Sequence, residues 1–170
     1  MSKISAIMAS IRPGPIVLVL VLCLSGCGFR LAGSTDLPPQ LASIYLVTSG
    51  FSETQRKALS QRLRAAGASL VEQPDAPAAH LSVNLQVLPD RQLVSSGSSG
   101  ALVKRISRAL DFNLKSADGK LLAPAQTLRQ QRDISLNDDN LLSSEREREN
   151  AIEGLEQALY QQLIRQLTRI

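Results

Sequence analysis

The sequence predicts an α+β fold, a two-layer sandwich in which two helices pack on one side of a four-stranded mixed sheet in the order β-α-β-β-β-α. Three observations carry this reading. Ser52 and Gln55 have the spacing of a capping box and open a run with helical period. Leu81, Val83, Leu85 and Val87 alternate with Ser82, Asn84 and Gln86, as in a strand with one buried face. Ile152, Leu155, Leu159, Leu163, Leu167 and Ile170 recur at steps of three or four, which gives the last helix a continuous apolar stripe. Two helices with one apolar face each need a common surface, and a sheet alternating in polarity supplies it. The other side of that sheet must then be polar, small or covered by a partner.

Taken in order, residues 41–47 are a short apolar run rich in strand formers, closed by Ser49 and Gly50, and predict the first strand. The helix over 52–66 comes next, with Ala58, Leu59, Leu63 and Ala66 on one face, arginines and a lysine on the others, and Gly67 placed to end it. Residues 73–79 hold two prolines and read as a loop. The strand from His80 is broken or bent at Pro89-Asp90, and the Ser/Gly-rich residues 95–100 form a tip. Residues 101–115 return as a strand with Leu102, Ile106, Leu110, Phe112 and Leu114 on one parity. Asp118-Gly119 predicts a tight hairpin turn, and a further strand covers 121–134, where Pro124 calls for a bulge or an edge position. After the polar residues 137–140, Ser144 and Glu147 have capping-box spacing and mark the expected start of the final helix.

The N-terminus has a different character. Lys3 and Arg12 precede the aliphatic residues 16–24, and the small residues Ser25 and Gly26 then precede Cys27. Basic leader, short apolar segment and small residues make up a secretory signal. Its nine apolar residues fall short of the ~20 that a membrane-spanning helix needs. A cysteine directly after the small residues is the position lipidated in bacterial lipoproteins. The expected organisation is a signal peptide over 1–26, a lipidated tether over 27–40 that carries Gly33, Pro38 and Pro39, and a folded domain over 41–170. The other cysteine, Cys23, falls in the leader, so Cys27 has no partner for an internal disulfide.

Composition narrows the function. The chain carries a net charge of +4, and loss of Lys3 and Arg12 with the leader lowers it to +2, so bulk nucleic-acid binding is not implied. Phe29, Tyr45, Phe51, Phe112 and Tyr160 are the whole aromatic set, too few for base- or sugar-stacking platforms. One histidine, His80, at a strand start, reads as structural, and with one lipidated cysteine it cannot furnish a zinc site. Asp138 and Asp139 lack the spaced oxygen ligands of a calcium loop. Neither a phosphate-binding glycine loop nor a nucleophile elbow is present. No enzyme, no catalytic residue, no metal and no cofactor is expected. The alternating charges of residues 145–149 read as a solvated helix start.

The suggestive charges are Arg91, Lys104, Arg105 and Arg108, which flank the Ser/Gly tip on two strands expected to pair. They can grip phosphate through charge-assisted bonds, or they can guard a strand edge against aggregation. Lys104 and Arg108 share the parity of the apolar residues instead of opposing them, which puts the two readings on an equal footing.

The residues Cys27-Gly28-Phe29-Arg30-Leu31, together with the proline-bearing tether, the strand–helix pair, the run of strands and a closing helix that ends Gln162-Leu-Ile-Arg-Gln-Leu167, resemble the LptE family of lipopolysaccharide-assembly lipoproteins. The resemblance implies a lipid-anchored protein on the periplasmic side of the outer membrane that sits inside the LptD β-barrel, helps assemble it, and assists transport of lipopolysaccharide to the cell surface. It also implies contact with lipopolysaccharide through basic residues near the strand tips. The 95–100 tip is small and uncharged, so Arg91, Lys104, Arg105 and Arg108 are the candidates by charge and position. Gly28 after the cysteine agrees with sorting to the outer membrane. The competing reading is a lipid-binding accessory lipoprotein of a periplasmic ABC-type transport system.

Overall fold

The computed structural model describes residues 37–73, 77–93, 102–136 and 141–170. Its elements are a 3-10 turn at Pro39–Leu41, β1 (Ser43–Ser49), α1 (Glu53–Ala65), β2 (Ser69–Val71), β3 (Ala79–Leu93), β4 (Leu102–Lys115), β5 (Leu121–Leu136) and α2 (Leu141–Leu167). The strands form one mixed sheet in the order β2-β1-β3-β4-β5. β1 runs parallel to both β2 and β3, whereas β3, β4 and β5 form an antiparallel meander.

The predicted two-layer sandwich is observed, with one strand more than the four expected. The addition is β2, whose three residues are too few to show an alternation and which is fixed by distant pairing, Ser43 with Ser69 and Tyr45 with Val71. The first strand also begins two residues later than predicted. Pro38 and Pro39 set up a 3-10 turn that takes Leu41 out of the strand, although its side chain stays fully buried. The described chain is docked from its outset, since the Leu37 amide donates to the Ala66 carbonyl at 3.0 Å.

Local signals account for the remaining boundaries. The Ser52–Gln55 capping box closes as predicted: the Ser52 amide donates to Gln55 Oε1 at 2.8 Å and the Gln55 amide donates to Ser52 Oγ at 3.3 Å. Gly67, at φ +93°, ends α1. Gly119, at φ +82°, forms the β4–β5 turn, where the Ser116 amide donates to the Lys120 carbonyl at 2.8 Å. Pro124 lies on an edge strand next to a register shift. The Ser144–Glu147 pair does not cap the final helix, because α2 already runs from Leu141 and Ser144 sits inside it. The 95–100 tip and residues 137–140 lie outside the described residues.

Both helices cover one face of the sheet. Leu59 and Leu63 of α1 and Leu159, Tyr160, Leu163 and Leu167 of α2 join Ile44, Leu81, Val83, Leu110, Phe112 and Leu114 in one buried cluster. Farther along β4 and β5 a smaller cluster, Ile106 and Ile134 under Ala151 and Leu155, packs the first half of α2. The predicted alternation of β3 holds at Leu81, Val83 and Leu85 and then fails at Val87, which is 70% exposed because no helix covers the sheet there. The opposite, outer face is polar: Ser49 Oγ donates to Asn84 at 2.9 Å, Thr127 Oγ1 donates to Asp111 at 2.6 Å, and Gln86 donates to the same carboxylate.

A bulge in β3 decides which way the functional side chains point. Leu88 pairs with Ser107 and Arg91 pairs with Arg105, so β3 advances three residues while β4 advances two. The extra residue, at the predicted Pro89-Asp90 bend, inverts the parity of the rest of the strand. Arg91 would otherwise share the inward parity of Leu85 and Val87; the bulge sends it to the outer face.

Candidate functional site

The four nominated cations do not form one patch. Arg91 and Arg105 stand directly opposite each other on the outer face, whereas Lys104 and Arg108 have inward parity. Cys27 lies outside the described residues.

On the outer face Arg105 is held by a bidentate pair, Nε to Asp133 Oδ1 at 2.6 Å and Nη2 to Asp133 Oδ2 at 2.8 Å. The Arg105 bond holds the Asp133 carboxyl below its usual range, and Asp133 in turn raises the Arg105 guanidinium. Arg91 and Arg129 make no ion pair among the described residues. Arg129, whose register partner is Ala109, lines the same shallow depression of about 660 Å³ as Arg91, Arg105, Ser107 and Gln131. Sequence reasoning missed Arg129. The available signal was its odd parity, shared with Thr127 and Asp133 and opposite to buried Leu128, but only the strand pairing, which sets it opposite Ala109, brings it to the depression that Arg105 also lines.

On the inner face the environment reverses. Arg108 is 5% exposed, with Nη1 donating to the Ser107 carbonyl at 3.0 Å and Nε without a partner among the described residues. The charge that answers it is Glu156 of α2, itself 9% exposed and bonded through Oε1 to Gln55 Nε2 of α1 at 2.6 Å. Burial pushes the Glu156 carboxyl above its usual range, while the Gln55 bond and the Arg108 charge oppose that shift. Burial and then the Glu156 charge likewise push the Tyr160 hydroxyl up, and that hydroxyl has no partner among the described residues. This polar layer joins α1, α2 and β4 and was not foreseen. Lys104, nearer the start of β4, is half-buried opposite Ile134.

Two further predicted features find partners. His80 packs against Tyr45 with ring centroids 5.3 Å apart, in keeping with its structural reading. Within the charge run that opens α2, Arg148 reaches Asp90 of the bulge at 3.1 Å and ties the helix to the point where β3 changes parity.

The β-α-β-β-β-α frame with a short added edge strand carries both basic environments and has counterparts among known proteins. The family model for LptE, described as lipopolysaccharide-assembly, matches residues 41–168. The chain belongs to the LptE family. An LPS-assembly lipoprotein LptE from Yersinia enterocolitica is 37% identical over 54 residues, 32% of this chain. The match spans about a quarter (26%) of that relative's length. Among solved structures, an uncharacterized lipoprotein B from Nitrosomonas europaea superposes with a TM-score of 0.62 at 20% identity, covering 83% of this chain and 90% of that one. A minor lipoprotein from Acinetobacter baumannii gives 0.56 at 19% identity, covering 76% and 92%. The rare lipoprotein B from Shewanella oneidensis gives 0.57 at 16% identity, covering 74% and 92%. At these identities the likeness is one of fold, and the LptE-family fold is the frame on which the two basic environments sit.

Proposed function

We propose that this LptE-family chain is a non-enzymatic outer-membrane lipoprotein, anchored through acyl groups on Cys27, that occupies the lumen of an LptD-like β-barrel and assists passage of lipopolysaccharide to the cell surface. The observation that carries this reading is the family match over nearly the whole folded domain. Physical features support it. Acyl groups on Cys27, at the junction that follows the small residues Ser25 and Gly26, would supply the anchor, two or more chains holding stably where one does not. The outer face of the sheet is a hydrogen-bonded polar surface, which suits the polar interior of a barrel.

Within that role Arg91, Lys104 and Arg105 contact lipopolysaccharide, and Arg108 acts from below as a positioning residue that holds β4 against α2. The expected outcome of affinity capture from native outer membranes is a stoichiometric complex with a large β-barrel that survives detergent. Purification from the same membranes without such a companion overturns the proposal. Cys27→Ala should leave the chain without acyl groups, and an unmodified mature Cys27 in the wild type, read by mass spectrometry, refutes the anchor.

A further inference from the structure

We propose that the cleft between α1 and α2 is a binding site for a small zwitterion that carries one ammonium and one carboxylate on a short apolar frame, as a free short peptide does. The cleft lies on the helix side of the molecule, away from the outer face of the sheet. Its volume of about 470 Å³ lies within the roughly 300–1,000 Å³ of small-molecule sites. One wall is α1, which contributes Gln55, Ala58, Arg62 and Ala65 at helical spacing; the other is α2, which contributes Glu153, Glu156 and Tyr160. The two walls carry opposite charge and do not close on each other. Arg62, Glu153 and Glu156 make no ion pair among the described residues. Gln55 Nε2 crosses from one wall to the other, with its 2.6 Å bond to Glu156 Oε1. Gln157 Nε2 donates to Glu153 Oε1 at 3.0 Å and keeps that carboxylate on the α2 wall.

The floor of the cleft points to a ligand independently of these charges. Tyr160 lines it and is 2% exposed, yet its hydroxyl has no partner among the described residues. The charges of Glu156 and of Arg62 both act on that hydroxyl, which places it between the two walls. A buried hydroxyl left without a partner costs free energy, and an oxygen brought by a ligand removes that cost. The charges then select the ligand. Arg62 and the Tyr160 hydroxyl suit one oxyanion, and Glu153 and Glu156 suit one cation. Beneath the cleft Arg108 also acts on Glu156, so two guanidinium groups answer two carboxylates. A ligand of zero net charge keeps that balance, whereas a phosphate dianion would set surplus negative charge beside Glu153 and Glu156. Ala58, Ala65 and the Tyr160 ring offer apolar surface to the frame that joins the two charged ends. None of this depends on the lipopolysaccharide function proposed above.

The test uses the full lipidated chain in detergent and isothermal titration with the dipeptide alanylleucine, its N-acetyl form and its C-terminal amide. The expected result is binding of the free dipeptide and about tenfold weaker binding of each blocked form, the effect of removing a charge-assisted bond. Arg62→Gln should weaken binding of the free dipeptide about tenfold and abolish its advantage over the amide, while its advantage over the N-acetyl form persists. Tyr160→Phe, which keeps the ring, should also weaken binding about tenfold and yet raise the melting temperature of the unliganded protein, because it removes a buried hydroxyl that lacks a partner. A hydroxyl with a structural role only would lower the melting temperature on removal and leave affinity untouched, and that result overturns the site. So does equal binding of the three peptide forms, absence of binding at millimolar dipeptide, or an unchanged affinity in either variant.

Discussion

Two arginines three residues apart on one strand, Arg105 and Arg108, meet opposite surroundings. Arg105 lies on the outer face with solvent-facing neighbours and a bidentate carboxylate; Arg108 lies beneath α2 with one carbonyl bond and a buried carboxylate for company. Charge and parity nominate a residue, while the layer above it decides what it does. A guanidinium under a helix is part of the packing and costs much to leave unanswered; a guanidinium on an open sheet is available to a ligand and costs little to change.

The inner face is the more sensitive of the two. Glu156→Leu removes the acceptor of Gln55 Nε2 and the carboxylate whose charge acts on buried Arg108, and should destabilise the fold by about 1–2 kcal/mol, read as a shift in the urea midpoint. Adding Arg108→Met to that variant should recover most of the loss, since an apolar pair of similar volume is tolerated where a lone charge is not. A double variant no more stable than the single one would break the link between the two residues.

A smaller effect distinguishes the faces by pH. Glu156 binds its proton more tightly in the folded state, so its contribution to stability is full below the ordinary glutamate range, near ~4.3, and is lost as pH rises through the raised folded value. Asp133 behaves oppositely: its contribution is present above the ordinary aspartate range, near ~3.9, and is lost as pH falls through the lowered folded value. Urea midpoints measured across pH should therefore show a decline on the alkaline side of ~4.3 that Glu156→Gln removes and Asp133→Asn does not. A decline unchanged in Glu156→Gln would contradict the buried-carboxylate assignment.

The outer face should respond least. Arg91→Gln should change stability by less than about 0.5 kcal/mol, as for an exposed side chain without an ion pair, and in the stabilising direction because it relieves the opposition with Arg105. A clear destabilisation would mean that Arg91 has a structural role.

Much of this arrangement was legible in the residues. The capping box at Ser52, the left-handed glycines after α1 and in the β4–β5 turn, the alternation of β3 from Leu81 to Leu85 and the stripe of α2 from Leu155 to Leu167 are local signals, and each appears where the local rule puts it; Val87 and Ile170, which the same rules would bury, are exposed. The elements that were not legible depend on distant partners. β2 exists because Ser69 to Val71 find β1, and the start of α2 before Ser144 overrides a capping pair that local spacing favours. At the candidate site the shared parity of Arg108 with Ile106 and Leu110 was visible, but half-buried Lys104 shows the same pattern, so parity alone did not separate a buried cation from one at the margin. Arg91 was visible as a charge, yet its face was set by one extra residue in a bulge whose register only the paired strands define. Arg129 had only its odd parity to mark it, and its place in the depression depends on β5 lying beside β4.

The division between a structural inner arginine and a ligand-facing outer one is tested most sharply by pairing lipopolysaccharide affinity with melting temperature in Arg108→Met and in Arg91→Gln. The predicted result is a changed melting temperature with near-normal affinity for Arg108→Met, and about tenfold weaker affinity with an unchanged melting temperature for Arg91→Gln. Affinity lost in Arg108→Met and retained in Arg91→Gln would reverse the assignment of the two faces.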